Sequence, residues 1–177
     1  MHPPTFGPRK VVYQDPFQQI YSVTADFGDF TKQYFVRDTG QRAGVVVLDK
    51  GSVLLVRQYR LQINGLSYEI PGGKVEDGEA PEAAAVRECL EEAGIRCRSL
   101  HPLLFFHPGL DILHNPTHLF YTDDWVADDH TRSDPKEVQG KVWVPLPDAV
   151  KMISERKIVD SLSIIALLAC KELQARH

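Results

Sequence analysis

The sequence has little of what marks disulfide-stabilised or nucleic-acid-binding proteins. Its 177 residues include 3 cysteines, and Cys89, Cys97 and Cys170 form neither an even disulfide set nor a closely spaced metal-binding pair. The formal net charge is only −4, and the basic residues are scattered, so no surface for phosphate backbones is predicted. These absences exclude a disulfide scaffold and general nucleic-acid binding, and they favour a reduced, cytoplasmic protein.

Long apolar runs are also missing. The longest candidate, from Leu162 to Cys170, is far shorter than the roughly 20 residues that a helix needs to span a bilayer. The first residues lack a basic segment followed by an apolar one, so no signal peptide is predicted. We therefore expect no membrane partner, and we interpret the apolar run as a buried helix.

Short strand patterns occupy the first third of the sequence. The opening segment is rich in proline and predicted to be irregular, whereas alternating stretches joined by turn residues predict a small antiparallel β-unit over residues 11–40. Strands over 43–48 and 53–59 are separated by Asp49, Lys50 and Gly51, which is a hairpin signal. The first of these two strands is continuously apolar from Val45, which predicts burial on both faces.

Helical spacing begins after residue 80. Pro81 suits a first helical turn and Gly94 a helix end, so a helix is predicted over 81–93. Further strands are predicted over 103–106, 119–126 and 141–144, and further helices over 147–154 and 160–173. This order predicts an α/β or α+β fold with helices covering a mixed sheet.

Three carboxylates share one face of the helix predicted over 81–93. Glu88, Glu91 and Glu92 stand at i, i+3 and i+4, where like charges repel by a few tenths of a kcal/mol per exposed pair. A glutamate-rich helix is usually a solvated face, but a hard divalent cation would turn this repulsion into attraction. Carboxylate oxygens suit Mg²⁺, and Mn²⁺ is the alternative metal.

The residues around this helix suggest how it is supported. Glu79 precedes the helix and Arg87 lies within it, so the two side chains can pair and hold the loop against the carboxylate face. Gly72 and Gly73 allow tight turns and a close approach of the main chain to a ligand.

The segment 73–95, GKVEDGEAPEAAAVRECLEEAGI, resembles the signature of the Nudix hydrolases. The residues at the family's invariant positions are Gly73, Glu79, Arg87, Glu88, Glu91, Glu92 and Gly94. The resemblance implies an α/β/α sandwich with a mixed sheet, in which the segment forms a loop, a helix and a loop that bind divalent metal. It departs from the family at Cys89, where an aliphatic residue is usual.

The resemblance also implies roles for these residues. Glu88 and Glu92 correspond to the principal metal ligands, with Glu91 a ligand directly or through water, and the carbonyl of Gly72 resembles a main-chain ligand. Glu79 and Arg87 match the family's structural salt bridge. The implied reaction is hydrolysis of a nucleoside diphosphate linked to a further group.

The flanking segments 53–60 and 68–73 look like the ADP-ribose pyrophosphatase branch. Arg60 would then face the diphosphate, unless it is a solvated strand-end arginine, and Glu69 either supports the metal site or caps a strand. Pro108 and Gly109 resemble an element that shapes the sugar end of the pocket in nucleotide-sugar hydrolases.

The general base is left open by the sequence. Relatives carry a glutamate shortly after the glycine that Gly109 matches, and this chain has none there. Asp111, His114 and His118 are possible replacements. Glu137 matches an acidic position of the same fold and is the alternative candidate for the base. Together with Glu91 and Glu92, it makes up the predicted catalytic set.

The amino-terminal residues resemble a small sheet that relatives exchange between subunits. We therefore expect an arm and dimerisation sheet over 1–40, a Nudix domain over 41–177, and a homodimer. Arg37 and Arg42 would reach the partner's substrate, or are ordinary surface arginines.

Three functions compete for this sequence. The preferred hypothesis is magnesium-dependent hydrolysis of ADP-ribose to AMP and ribose 5-phosphate. The second is hydrolysis of GDP-mannose or another nucleoside diphosphate sugar, since the altered loop after the signature is where sugar selectivity would reside. The third is a non-catalytic Nudix module that senses a nucleotide, against which the complete carboxylate set argues.

Overall fold

The computed structural model describes residues 3–128 and 138–175. In chain order, the strands are β1 (Thr5–Phe6), β2 (Lys10–Gln14), β3 (Gln19–Asp26), β4 (Thr31–Asp38), β5 (Arg42–Asp49), β6 (Ser52–Arg60), β7 (Gly65–Glu69), β8 (Gly72–Lys74), β9 (Ile95–Cys97), β10 (His101–Phe106), β11 (Leu113–His114), β12 (Thr117–Thr122), β13 (Trp125–Ala127) and β14 (Val138–Pro145). The helices are α1 (Pro81–Ala93), α2 (Leu146–Ser154) and α3 (Ser161–Gln174), and Leu61–Ile63 forms a 3₁₀ turn.

The chain forms two compact units. The smaller unit comprises Met1–Gln41 and His107–Pro116, and the larger comprises Arg42–Phe106 and Thr117–His177. The smaller unit contains a five-stranded sheet in the order β1-β3-β4-β11, with β2 also paired to β3. Its pairs are antiparallel except β11 with β4, so the predicted antiparallel unit is confirmed and gains one parallel strand from a distant segment.

The larger unit is built on a seven-stranded mixed sheet. Its order is β10-β12-β5-β6-β14, with β7 paired to β6 and β8 paired to β5, and β12 runs parallel to β5. On β5, Val45 and Val47 belong to the core cluster that contains the buried residues of α1. The intervening Val46 belongs to the cluster that contains those of α2 and α3. Successive residues thus face opposite layers, and the predicted α/β/α sandwich with a mixed sheet is confirmed.

The turn between β5 and β6 follows the prediction. Lys50 and Gly51 both have positive φ, +47° and +81°, and they join Asp49 to Ser52 as a two-residue hairpin. Positive φ at both central residues is the geometry whose twist matches that of paired strands.

Helix α1 has the predicted bounds. Pro81 stands in its first turn, and Gly94 ends it with φ +61° while its N–H donates to the carbonyl of Leu90. The residues it buries are small: Ala84, Ala85, Cys89 and Ala93. Cys89 thus acts as a small buried hydrophobe, and all three cysteines are free.

Two predictions about elements were wrong. The strand predicted over 119–126 is interrupted, because Thr122 Oγ1 hydrogen-bonds to the main chain of Asp124 and turns the chain between β12 and β13. The opening segment, predicted to be irregular, contributes the two-residue strand β1, which pairs with the end of β3. Across the described residues, none of the helices combines the length and apolar character needed to cross a bilayer.

Candidate active site

A cavity of about 300 Å³ lies in the larger unit beside the carboxylate face of α1. Strand β6, the glycines of β8 and the first residue of β5 form its remaining walls. Its lining residues are Arg42, Gln58, Tyr59, Arg60, Gly72, Gly73, Glu88 and Glu92. The cavity therefore brings two carboxylates and two guanidinium groups together.

The two glycines of β8 let this strand pack closely against β5 on one side and α1 on the other. A Cβ on Gly72 would lie 2.6 Å from the carbonyl oxygen of Ala43 and 2.7 Å from the Cα of Gly44, which is closer than real Cβ atoms approach. A Cβ on Gly73 would collide with the carboxylate of Glu88. The absence of a side chain at Gly73 leaves the space that the Glu88 carboxylate occupies, and its absence at Gly72 lets β8 approach β5.

Glu92 is held at both of its carboxylate oxygens. The N–H of Gly72 donates to Oε2 at 2.9 Å, and the side-chain amide of Gln58 donates to Oε1. The pKa of Glu92 is raised to about 7, mainly by burial and also by the nearby charge of Glu88, while the two hydrogen bonds act in the opposite direction. The carboxylate is thus desolvated in a position where its negative charge is only partly compensated.

Glu88 and Glu91 differ in exposure. The Glu88 side chain is 15% exposed, burial raises its pKa, and it accepts a hydrogen bond from Arg87 Nη1 at 2.8 Å. The Glu91 side chain is 56% exposed, pairs with the same Arg87 nitrogen at 3.2 Å, and does not line the cavity. The structure therefore places Glu88 and Glu92 on the wall of one cavity and leaves Glu91 outside its lining.

Glu79 and Arg87 form a salt bridge between the loop before α1 and the helix. Both guanidinium-to-carboxylate distances are 3.0 Å, and Arg87 Nη2 also donates to the carbonyl of Lys74 at 2.9 Å. The hydrogen bond from Arg87 holds the pKa of Glu79 below its usual range. Arg87 thus ties the loop, the helix and the two neighbouring glutamates together.

Arg60 is held by Glu69 through a two-pronged ion pair. Arg60 Nε donates to Oε1 at 2.8 Å, and Nη2 donates to Oε2. Glu69 is only 4% exposed, and it raises the pKa of Arg60. Glu69 therefore positions Arg60 rather than lining the cavity itself.

The donor set fits a hard divalent cation. Across the described residues, no group of three or more histidine, cysteine, aspartate or glutamate side chains has the arrangement of a complete metal site. Glu88 and Glu92 nevertheless present two desolvated carboxylates to the same cavity. Mg²⁺ commonly takes one or two carboxylates and completes its shell with water and substrate phosphates, so two carboxylates suffice.

The remaining predicted site residues are dispersed. Arg42 lines the cavity of its own chain, whereas Arg37 lies in the smaller unit and donates from Nε to Gln18 Oε1 at 2.6 Å. Pro108 and Gly109 belong to the smaller unit, and Glu137 lies outside the described residues.

The candidate replacement bases do not line the cavity. Asp111 and His114 are in the smaller unit, and His118 stands on β12 against the ring of Phe105, with burial lowering its pKa. Sequence reasoning missed Gln58, although it stands two residues before Arg60 and residues at this spacing in a strand face the same side.

Comparison with known proteins identifies the family of the chain. Residues 38–162 match the model of the NUDIX domain family. The chain is 31% identical to the ADP-ribose pyrophosphatase of Bacillus subtilis over 153 residues, covering 84% of this chain and 83% of that protein. It is 30% identical to the GDP-mannose pyrophosphatase of Yersinia enterocolitica over 144 residues, covering 75% and 74%.

A solved structure supports the fold. The crystal structure of an ADP compounds hydrolase superposes with a TM-score of 0.85 at 18% identity and covers 99% of this chain and 96% of that one. The sandwich, the helix of glutamates and the family match over most of the chain lead to one conclusion: this chain belongs to the Nudix family and is a Nudix hydrolase.

Proposed function

We propose that the protein hydrolyses the pyrophosphate bond of a nucleoside diphosphate sugar, with ADP-ribose as the preferred substrate. The observation that carries the proposal is that Glu88, Glu92, Arg42 and Arg60 line the same cavity. Carboxylates suit a divalent cation and guanidinium groups suit paired phosphate oxygens, so the cavity has the charge pattern for a diphosphate. Addition of water to ADP-ribose then gives AMP and ribose 5-phosphate.

Glu88 and Glu92 are the side chains that would hold the metal, which we propose is Mg²⁺, with Mn²⁺ as a possible substitute. Members of the family generally use divalent metals. When bound, such a cation neutralises diphosphate charge and lowers the pKa of a coordinated water. Glu91 and the carbonyl of Gly72 are proposed to complete the shell, directly or through water.

Arg60 is proposed to bind the diphosphate. Its Nε and Nη2 are engaged by Glu69, and within the described residues no hydrogen bond engages Nη1. A guanidinium fixed on one edge keeps its remaining N–H donors in defined positions, which reduces the ordering that substrate binding requires. Glu69 thus contributes to binding through Arg60, and Arg42 supplies a second positive charge to the cavity.

The remaining roles rest on the resemblance. Glu137 is proposed as the general base, with Asp111, His114 and His118 as alternatives. Pro108 and Gly109 are proposed to shape the sugar end of the site. GDP-mannose is the second candidate substrate, supported by the similarity to a GDP-mannose pyrophosphatase and by the altered loop that follows Gly109.

A homodimer is also proposed, with the sheet of residues 1–40 exchanged between subunits and residues 41–177 forming the catalytic domain. The smaller unit exposes many large apolar side chains, as expected of a surface that a partner covers. These are Phe6, Val11, Val12, Tyr13, Phe17, Phe30, Phe35, Leu110 and Ile112. Light scattering after size exclusion should give twice the mass of one chain, and a single-chain mass would contradict the dimer.

The function is tested by nucleoside monophosphate release from ADP-ribose, GDP-mannose, UDP-glucose and deoxynucleoside triphosphates with Mg²⁺. ADP-ribose should be hydrolysed fastest, and Glu92→Gln should lose at least 100-fold in kcat, a size typical of losing one catalytic electrostatic group. Glu76→Gln, a change in an exposed loop residue, is the matched control. A faster rate with GDP-mannose would favour the second candidate, and binding without turnover would favour a nucleotide sensor.

A further inference from the structure

Gln58 is a buried polar residue at the edge of the active-site cavity. It lies on β6, is 5% exposed, and donates from its side-chain amide to Oε1 of Glu92. The N–H of Gly72 donates to the other oxygen of the same carboxylate at 2.9 Å. Each oxygen of Glu92 therefore accepts one hydrogen bond from a neutral donor.

The sheet fixes the position of Gln58. In β6 it faces the same side as Arg60, and it pairs across the ladder with Ser67 of β7 on one side and Val138 of β14 on the other. Both neighbours in the ladder are buried. A side chain enclosed in this way has little rotational freedom, so its amide N–H stays within hydrogen-bonding reach of the Glu92 carboxylate.

We propose that Gln58 is a positioning residue that orients the Glu92 carboxylate for metal binding. Each carboxylate oxygen has two lone pairs, so one donor on each oxygen fixes the plane of the group and leaves a lone pair on each for a cation. A neutral amide does this without adding positive charge, whereas lysine or arginine at the same place would repel the metal. This inference rests on the proposed role of Glu92 as a metal ligand.

The competing role for Gln58 is direct contact with substrate, because its side chain also lines the cavity. The two roles predict different measurements. An orienting residue changes the affinity for metal in the absence of nucleotide. A substrate contact changes KM for the nucleotide sugar and leaves metal affinity in its absence unaltered.

The test is Mn²⁺ binding to the full-length protein without nucleotide, followed by electron paramagnetic resonance, together with kcat and KM. Gln58→Met has nearly the same shape and no donor, and Gln58→Asn keeps an amide that is one methylene too short. Both should weaken Mn²⁺ binding by about 10-fold or more, as losing a residue that orients a metal ligand commonly does. The Mg²⁺ concentration for half-maximal rate should rise in parallel.

Ser67→Ala is the matched control. Ser67 faces the same side of the sheet as Gln58 and is fully buried, and within the described residues its hydroxyl makes no hydrogen bond. Its Mn²⁺ affinity should equal that of the wild type. Equal loss in Ser67→Ala would show that any change on this face disturbs the site, and it would overturn a specific role for Gln58.

Glu92→Gln, measured in parallel, separates this inference from the proposed function. Weak Mn²⁺ binding in Glu92→Gln with normal binding in both Gln58 variants overturns the role of Gln58 alone. Normal binding in Glu92→Gln overturns the ligand assignment and the inference with it. A raised KM with unchanged Mn²⁺ binding in the Gln58 variants assigns Gln58 to the substrate instead.

Discussion

Arg60 and Glu69 form an ion pair in which only the arginine reaches solvent. The side chain of Arg60 is 40% exposed, whereas that of Glu69 is 6% exposed. A buried carboxylate that loses its cation keeps an uncompensated charge, but a pair replaced at both positions leaves none. The stability of this part of β6 and β7 therefore depends on keeping the two charges matched rather than on either charge alone.

Arg60→Met should lower the free energy of unfolding by about 1–3 kcal/mol, the usual cost of leaving a buried acceptor unpaired. Adding Glu69→Gln to the same chain should recover part of that loss, because the remaining amide carries no charge. Urea unfolding of the wild type, both single variants and the double variant measures the coupling. A double variant whose loss equals the sum of the single losses would contradict charge matching.

A Cβ at Gly72 would collide with the main chain of the neighbouring strand β5. Gly72→Ala should lower the free energy of unfolding by about 1–3 kcal/mol, because the added methyl meets the backbone of Ala43 and Gly44 and the strands must separate. Gly65→Ala is the control, since its Cβ would lie an ordinary 3.6 Å from the nearest atom, the carbonyl oxygen of Ile63. Chemical denaturation measures both, and equal effects would contradict the crowding at Gly72.

At the scale of elements, the salt bridge of Glu79 and Arg87 should make the attachment of α1 dependent on pH. The pKa of Glu79 in the folded protein lies below its usual value of 4.5. A lowered pKa means that the bridge stabilises fully above pH 4.5 and is lost as the pH falls through the lower, folded-state pKa. Glu79→Gln should be less stable than wild type at pH 7, and the gap should narrow below pH 4.5.

Urea unfolding at several pH values checks this expectation. Glu76→Gln provides the comparison, because Glu76 lies in the same loop and is exposed. A stability gap for Glu79→Gln that stays constant from pH 7 down to pH 3 would mean that the bridge contributes nothing through its charge.

Elements with strong local signals were predictable from sequence. Helix α1 begins at Pro81 and ends before Gly94 as expected, because both residues restrict the backbone locally. The turn at Lys50 and Gly51 likewise follows from local chemistry. Strands of two or three residues, such as β8 and β9, were missed because their stability comes from partners distant in sequence rather than from their own residues.

The candidate site was predictable only in part for the same reason. The glutamates of α1 stand at a helical spacing that the sequence displays. Gln58 carries no charge, and its contact with Glu92 spans 34 residues, so its role emerges only when β6 packs beside α1. The ion pair between Arg60 and Glu69 likewise forms only when β6 pairs with β7.

For the whole molecule, a divalent cation should act as a stabilising ligand. Glu88 and Glu92 are desolvated beside each other, so a bound cation would remove a repulsion that exists only in the folded state. At 100 times its dissociation constant, a ligand stabilises by about 2.7 kcal/mol, which corresponds to a rise in Tm of roughly 5–10 °C. The double variant Glu88→Gln, Glu92→Gln should show no rise in calorimetry with Mn²⁺, and an undiminished rise would contradict binding at this pair.

The two parallel strand pairs have a consequence for the order of events during synthesis. Strand β4 can complete its pairing only after β11 has been synthesised, because Arg37 pairs with Leu113. Strand β5 likewise needs β12, because Arg42 pairs with Thr117. At roughly 5–20 residues per second, a ribosome needs several seconds to deliver these later strands. During that interval, the apolar edge of β5 has no permanent neighbour on that side. A nascent chain stalled before residue 117 should therefore bind chaperones more strongly than one released at full length.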